Sequence, residues 1–261
     1  MIIHSRGVGR PLVLLHGFGV DHRVMVPLEG MIESMPWRRL SVELPWAEKA
    51  SPSTAASALD VATEVIGAVQ YHIGDEPFAI LGQSFGGMIA RHVAHELRDR
   101  VLGLATIAGV VEARHSHRTV PPRAALVVDE AVLERAGDAR EGFVEEHVVQ
   151  TAETFAAFVE YVLPGARGSD HEVMERIASD YGLPVDPEIG HPEPFLAPSL
   201  HLFGRQDDVV GFEDGWRLRD HYPRGTYAVL DTAGHSVHLE RPELTGALLR
   251  DWLTRMGTAV R

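Results

Sequence analysis

The chain has 261 residues, 45% of them hydrophobic and 23% charged, which predicts one globular catalytic domain with an inserted segment and not a disordered chain. Its formal net charge of −13 argues against nucleic acid or an anionic membrane surface as a partner, because both bind clustered lysine and arginine. The absence of cysteine excludes disulfides and thiolate catalysis, and no apolar run or leader pattern predicts a membrane span or secretion, so we expect a cytoplasmic protein.

Short apolar runs alternate with helical patterns in the first part of the chain. Strands are predicted at residues 1–4, 11–15, 39–44, 78–81 and 101–110, and helices at 60–71 and 88–96. Such alternation of strand and helix predicts an α/β fold with a mostly parallel central sheet flanked by helices.

The alternation stops at about residue 112 and resumes at about residue 192. The intervening segment is acidic and helical in pattern, with candidate helices at 127–135, 139–162 and 170–181. Two further strands, 200–203 and 226–231, and a helix from Pro242 complete the chain. The pattern therefore divides the protein into a core of residues 1–111 and 192–261 and an insertion of residues 112–191.

A serine lies between the strand at 78–81 and the helix at 88–96, in the segment Gly82-Gln83-Ser84-Phe85-Gly86-Gly87. This is the pattern of a nucleophile elbow, in which the serine adopts a strained backbone conformation on a sharp turn. Glycines two positions before and after Ser84 permit the close chain approach that the turn requires. Because a serine hydroxyl alone is a weak nucleophile, the pattern also predicts an acid and a histidine base farther along the chain.

Both partners occur beyond later strands. Asp207 follows the strand at 200–203, and His235 follows the strand at 226–231, so both are expected at the same sheet edge as Ser84. His235 would accept the serine proton, and Asp207 would orient the imidazole. Asp208 or Glu112 could replace Asp207 as the acid.

A second histidine, His238, lies three residues after His235 and could serve as the base instead. Its alternative role is that of a packed residue behind the site. His235 is favoured because Gly234 precedes it.

Four motifs in this order resemble the α/β-hydrolase superfamily, in its small, cap-bearing branch with a serine nucleophile: Leu14-Leu15-His16-Gly17-Phe18-Gly19, the elbow at Ser84, Gly204-Arg205-Gln206-Asp207, and Gly234-His235 with Glu240-Arg241-Pro242-Glu243 behind it. The resemblance covers nearly the whole chain. It implies a triad of Ser84, Asp207 and His235, an oxyanion hole formed by the backbone N–H groups of Phe18 and Phe85, and a helical cap over residues 112–191.

A cap would supply part of the substrate pocket. Candidate lining residues are Phe143, Phe155, Phe158, Tyr161 and Met174, although apolar residues at helical spacing more often pack against the domain beneath. Trp46 stands where relatives often have a glycine-rich turn, so it is a candidate specificity residue or a packing residue.

Other ligand-binding chemistries lack their motifs. The chain has no Gly-Lys-Ser/Thr phosphate loop, and the spacing of His115 and His117 is a weak metal signal, so no cofactor and no metal are expected.

The sequence therefore predicts a serine hydrolase that cleaves an ester, thioester, lactone or related small-molecule carbonyl substrate through an acyl-enzyme. Carbon–carbon bond hydrolysis, acyl transfer and ligand reception by a triad-retaining protein are the alternatives, because this scaffold supports many activities. The oligomeric state is not indicated, and a homodimer stays open.

Overall fold

A computed structural model of the protein describes residue 1 and residues 3–257. Its strands, in chain order, are β1 (Ile3–Arg6), β2 (Arg10–Leu15), β3 (Trp37–Val42), β4 (Phe78–Gln83), β5 (Val101–Ile107), β6 (Val127–Val128), β7 (Val149–Gln150), β8 (Ser199–Gly204) and β9 (Gly225–Leu230). Seven of them form one sheet in the order β1-β3-β2-β4-β5-β8-β9, while β6 and β7 form a separate parallel pair. Only β1 is antiparallel to its neighbour in the seven-stranded sheet, so the expected mostly parallel α/β architecture is confirmed.

The helices, in chain order, are α1 (Val26–Met31), α2 (Ala58–Ile73), α3 (Phe85–Glu96), α4 (Glu130–Arg135), α5 (Arg140–Glu146), α6 (Ala152–Ala157), α7 (Leu163–Gly168), α8 (His171–Ala178), α9 (Pro187–Gly190), α10 (Glu213–Trp216), α11 (Val237–Glu240) and α12 (Pro242–Arg255). A π-helical turn, Phe158–Val162, joins α6 to α7. Within the described part of the chain, no helix is both long enough and apolar enough to cross a membrane.

The sheet separates two hydrophobic cores, and β2 shows how the sequence produces them. Val13 and Leu15 pack with residues of α2 and α3 on one face, whereas Leu12 and Leu14 pack with residues of α1 and α12 on the other. Side chains alternate along a strand, so a continuous apolar run buries both faces at once. The sheet is thereby fixed between helical layers, and the loops at its carboxyl edge have a rigid base.

The prediction of one helix over residues 139–162 is wrong. The chain forms α5, then the extended segment that contains β7, and then α6, the π-helical turn and α7. Tertiary contacts add to the extended preference of the β-branched pair Val148 and Val149, because Val149 pairs with Val127 and Glu240 accepts both of their N–H groups. Thr151 then caps α6 through reciprocal hydrogen bonds with Thr154.

Several predicted strand ends also shift. The strand expected at 101–110 ends at Ile107, where Ala108 adopts a positive φ of 46° and turns the chain out of the sheet. The strand expected at 39–44 runs from Trp37 to Val42.

Residues 108–198, between β5 and β8, leave the sheet and return to it, and we call this segment the excursion. β5 and β8 pair directly and in parallel, with Leu104 opposite Ser199 and Ile107 opposite Leu202. Near the end of this excursion, Glu188 of α9 forms a buried ion pair with Arg91 of α3, with an Nη2–Oε2 distance of 2.5 Å. The pair attaches the segment to the helix that begins directly after Ser84.

Candidate active site

Ser84 lies on a strained turn between β4 and α3. Its φ of 52° and ψ of −120° fall in a region that non-glycine residues rarely adopt, at a cost of about 1–3 kcal/mol. A side chain at Gly82 would collide with the carbonyl of Gly86, and a side chain at Gly86 would collide with the carbonyls of Leu15 and His16. The two glycines therefore let the chain pass closely enough to hold Ser84 in this conformation.

Ser84, Asp207 and His235 lie together at the carboxyl edge of the sheet, where they follow β4, β8 and β9. Nε2 of His235 lies 2.9 Å from Oγ of Ser84. Nδ1 of His235 lies 3.1 Å from Oδ2 and 3.3 Å from Oδ1 of Asp207. Oδ1 of Asp207 also accepts hydrogen bonds from the backbone N–H groups of Val209 and Val210, both at 2.9 Å, so the carboxylate is fixed by its own loop.

The site is desolvated and electrostatically biased toward a charged histidine. Asp207 is fully buried, while Ser84 and His235 are each 8% exposed. Burial alone lowers the pKa of His235, but the charge and hydrogen bond of Asp207 outweigh it and raise the pKa to about 9. An imidazolium that formed during a reaction would thus be stabilised in place.

The alternative residues lie elsewhere. Oε1 of Glu112 accepts a hydrogen bond from the backbone of Arg114, and Asp208 lines a small separate cavity with His147. His238 is fully buried, and its Nε2 lies 3.2 Å from the carbonyl oxygen of Val24. Among the alternatives weighed from the sequence, the structure brings Asp207 and His235 to Ser84.

The glycine-rich loop after β2 passes directly beside the serine. A Cβ at Gly17 would lie 3.2 Å from Cβ of Ser84. The ring of Phe18 packs 5.6 Å from that of Phe85, the first residue of α3. The first N–H groups of a helix have no partner within the helix, so the start of α3 presents donors beside Ser84.

Trp46 packs against this loop. Its side chain is fully buried, its Nε1 donates to the carbonyl of Val20 at 2.9 Å, and its ring centroid lies 4.7 Å from that of Phe18 and 5.4 Å from that of Phe85. Trp46 therefore packs against both residues whose N–H groups were expected to stabilise an oxyanion.

The candidate pocket residues separate into two groups. Phe143 and Phe158 are buried in one of the two cores, with Phe155 packed against them, which fits the packing role. Met174 of α8 instead reaches the loop beside Ser84, since a Cβ at Gly19 would lie 3.0 Å from its Cε. Tyr161 is partly exposed on the π-helical turn.

A cavity of about 520 Å³ lies next to the nucleophile helix. Met88 of α3, Val111 and Tyr181 line it together with four charged residues, Glu112, Arg114, Asp180 and Asp186. The ring of Tyr181 also contacts Phe18 and Phe85, with centroid distances of 5.4 and 5.0 Å, so one wall of the cavity adjoins the loop beside Ser84.

Glu240, which the sequence did not single out as a functional residue, joins the loop before His235 to the segment between β5 and β8. One oxygen of Glu240 accepts the N–H of Gly234 at 2.5 Å, and the other accepts the N–H groups of Val148 and Val149 at 2.7 and 3.0 Å. Burial raises the pKa of Glu240 to about 7 in spite of these hydrogen bonds. The Glu240-Arg241-Pro242-Glu243 motif was the available signal, but it does not reveal which backbone groups the carboxylate binds.

A second cluster of potential ligands lies behind the loop after β2. Side-chain atoms of His4, His22 and Glu43 lie within 4.8 Å of one another, close enough to share one metal ion. His115 and His117, the pair singled out from the sequence, are both exposed and lie on a 3₁₀ turn.

Comparison with known proteins identifies the family of the chain. The thioesterase domain family matches residues 10–210, which is more than half of the chain. The chain belongs to the thioesterase domain family. It is 26% identical over 262 residues to the pimeloyl-[acyl-carrier protein] methyl ester esterase of Shewanella woodyi, a match that covers 97% of each chain. It is 24% identical to an (E)-2-((N-methylformamido)methylene)succinate hydrolase of Acinetobacter baylyi, with 95% of this chain and 92% of that protein covered.

Solved structures share the fold. An alpha/beta superfamily hydrolase from Oenococcus oeni PSU-1 superimposes with a TM-score of 0.92 at 22% identity, covering 98% of this chain and 96% of that one. A thermophilic esterase from Thermogutta terrifontis gives a TM-score of 0.67 at 22% identity, with 98% and 94% covered. The protein is thus an α/β-hydrolase superfamily member and a serine hydrolase, as the sequence resemblance implied.

Proposed function

We propose that Ser84, His235 and Asp207 form the catalytic triad of an enzyme that hydrolyses a small carboxylic ester through an acyl-enzyme. The observation that carries the proposal is the continuous chain of contacts from Oγ of Ser84 through both nitrogens of His235 to Asp207, at 2.9 and 3.1 Å. A nucleophile within hydrogen-bond distance of a base, which is in turn oriented by an acid, is the arrangement that covalent acyl transfer requires.

In the first half-reaction, Oγ of Ser84 attacks the substrate carbonyl while Nε2 of His235 takes the hydroxyl proton. The negative charge that develops on the carbonyl oxygen is stabilised by the N–H groups of Phe18 and Phe85. His235 then passes its proton to the leaving alcohol, and the C–O bond breaks to leave the acyl-enzyme.

In the second half-reaction, His235 takes a proton from water, and the resulting hydroxide attacks the acyl-enzyme carbonyl. The proton returns to Oγ of Ser84 as the acid product leaves. Asp207 keeps Nδ1 of His235 protonated throughout, so that Nε2 is the nitrogen that accepts and donates.

The cavity beside Met88 and Tyr181 is our candidate for the substrate pocket. Its volume of about 520 Å³ suits a small-molecule substrate. Residues 112–191 would act as the cap, with Met174 placed over the loop at Gly19. An ester is favoured over other carbonyl compounds because several relatives of matching length are named as methyl ester esterases.

A thioester is the second candidate, since the chain belongs to the thioesterase domain family. The same triad and oxyanion donors would serve both substrates, because each passes through a tetrahedral oxyanion. Carbon–carbon bond hydrolysis, acyl transfer to an alcohol and ligand reception with little turnover stay as alternatives, because one scaffold can carry all of them.

Intact-mass analysis after fluorophosphonate treatment tests the nucleophile without knowledge of the substrate. We expect one adduct on the wild type, none on Ser84→Ala, and one on Ser116→Ala, a control at an exposed serine. A folded wild type that stays unlabelled would contradict an activated serine and favour the receptor alternative.

A matched pair of substrates, a methyl ester and a thioester with the same acyl group, then separates the two candidates by their kcat/KM values. Adding an alcohol to the same reaction tests acyl transfer. Release of free acid only supports hydrolysis, whereas a new ester as the main product identifies an acyltransferase.

A further inference from the structure

Three side chains from distant parts of the sequence meet at a single point behind the loop of residues 16–19. His4 belongs to β1, His22 begins the 3₁₀ turn that follows this loop, and Glu43 comes directly after β3. Nε2 of His4 lies 2.9 Å and Nδ1 of His22 lies 2.5 Å from the same oxygen, Oε1 of Glu43.

The Glu43 carboxylate is buried next to three histidines. Its side chain is 1% exposed, and among the described residues its ion-pair neighbours are histidines only. A buried carboxylate is costly unless a positive charge compensates it.

The third histidine near this carboxylate, His16, does not supply that charge. Its Nε2 lies 3.9 Å from Glu43 but accepts the backbone N–H of Leu44 at 3.0 Å, while Nδ1 faces the carbonyl of Gly17 at 2.9 Å. In this arrangement Nε2 accepts and Nδ1 donates, which is the pattern of a neutral imidazole.

His4 and His22 lie side by side at this carboxylate. Their rings stack with a centroid distance of 3.8 Å and an interplanar angle of 20°, and one nitrogen of each ring reaches Oε1 of Glu43. Nδ1 of His22 is buried and lacks the angular geometry of a hydrogen bond in spite of its short distance to Glu43.

We propose that His4, His22 and Glu43 bind one divalent transition-metal ion, with Zn²⁺ as the best match. The ligand atoms would be Nε2 of His4, Nδ1 of His22 and Oε1 of Glu43, and two imidazoles with one carboxylate are a ligand set that zinc uses in proteins. The ion would neutralise the buried carboxylate and would replace the proton that Nε2 of His4 donates to Oε1 of Glu43.

The site would be structural, because its ligands are separate from Ser84, Asp207 and His235. His4 is one-third exposed, so solvent would complete the coordination on that side. The ion would tie β1 and the end of β3 to the turn that follows the loop at Gly17. We therefore expect binding to raise the thermal midpoint by roughly 5 °C under saturating metal.

The experiment is equilibrium dialysis of EDTA-treated protein against ZnCl₂, with Co²⁺ as a spectroscopic substitute. The variants are His4→Gln, His22→Gln and, as the control, the double substitution His115→Gln with His117→Gln at the exposed pair. We expect one Zn²⁺ per chain in the wild type and the control, with the visible absorption of a four-coordinate Co²⁺ complex.

In His4→Gln we expect the affinity for Zn²⁺ to fall by more than roughly 100-fold, since even the loss of groups that only orient metal ligands costs 10–100-fold. His4 is a partly exposed position on an edge strand, so this variant stays informative even if His22→Gln does not fold. Three outcomes would overturn the proposal: no Zn²⁺ bound by the wild type, Zn²⁺ bound as tightly by His4→Gln as by the wild type, or loss of binding in the control variant.

Discussion

The ion pair between Arg91 and Glu188 should be the polar contact whose disruption costs most stability. The guanidinium is bidentate, with Nε–Oε1 at 2.8 Å and Nη2–Oε2 at 2.5 Å, and the two side chains are 2% and 7% exposed. Glu188 also accepts the hydroxyl of Tyr222, and Nη1 of Arg91 donates to the carbonyl of Val110. Glu188→Gln would leave a buried guanidinium without its counter-charge.

We expect Glu188→Gln to lower the free energy of unfolding by about 3–5 kcal/mol, the usual cost of removing one partner of a buried pair. Replacing both partners, Arg91→Met with Glu188→Met, should recover part of this loss, because no charge stays buried but the Tyr222 hydroxyl and the Val110 carbonyl lose these partners. The exposed pair between Arg167 and Asp138 provides the control, and Asp138→Asn should change stability by less than about 1 kcal/mol.

The assay is urea denaturation at neutral pH, repeated at acidic pH. Burial raises the pKa of Glu188, but Arg91 and Tyr222 outweigh it and hold the pKa well below its usual value of 4.5. The contribution of the pair is therefore complete above that value and is lost as the pH falls, so the difference between wild type and Glu188→Gln should shrink in acid. If Glu188→Gln were as stable as Asp138→Asn, the buried pair would contribute no more than an exposed one. If the double Met variant were less stable than Glu188→Gln, the cost would not come from an uncompensated buried charge.

Three further predictions concern the active site. Hydrolysis should accelerate as the pH rises from neutral to about 9, because only neutral His235 accepts the serine proton. In a pH–rate profile, Asp207→Asn should move the midpoint to lower pH, since Asp207 raises the pKa of His235. An unchanged midpoint would show that Asp207 does not control the pKa of His235. Glu240→Ala should reduce kcat by roughly 10–100-fold with less effect on KM, since it frees the backbone before His235; steady-state kinetics with wild-type values would show that the carboxylate does not position this loop. Trp46→Gly should change the ranking of esters in a substrate panel, because the indole packs on Phe18, and an identical ranking would refute its part in specificity.

The sheet and the convergence at Ser84 could be predicted from the sequence because the signals were local. The glycines around Ser84 mark a turn that few other residues allow, and the apolar runs before Asp207 and His235 mark strands whose carboxyl ends share one edge. Each of these inferences needed only a short stretch of chain and the general geometry of parallel sheets.

The contacts that were missed depend on long-range pairing. His4 and Glu43 lie 39 positions apart and meet because β1 runs antiparallel to β3, the one antiparallel pairing in the seven-stranded sheet. Arg91 and Glu188 lie 97 positions apart and meet only through the path of the excursion. The break at Val148 was not predicted because two β-branched residues within a helical pattern indicate an extended segment only weakly, and tertiary contacts decide the outcome.

The direct pairing of β5 with β8 has an evolutionary consequence. Since Ile107 and Leu202 are already neighbours, the polypeptide between them can lengthen, shorten or change its sequence without altering the register of the sheet. Ser84, Asp207 and His235 all lie outside that stretch. Selection could thus exchange one substrate preference for another in descendants of this protein while the reacting groups stay where their common ancestor placed them.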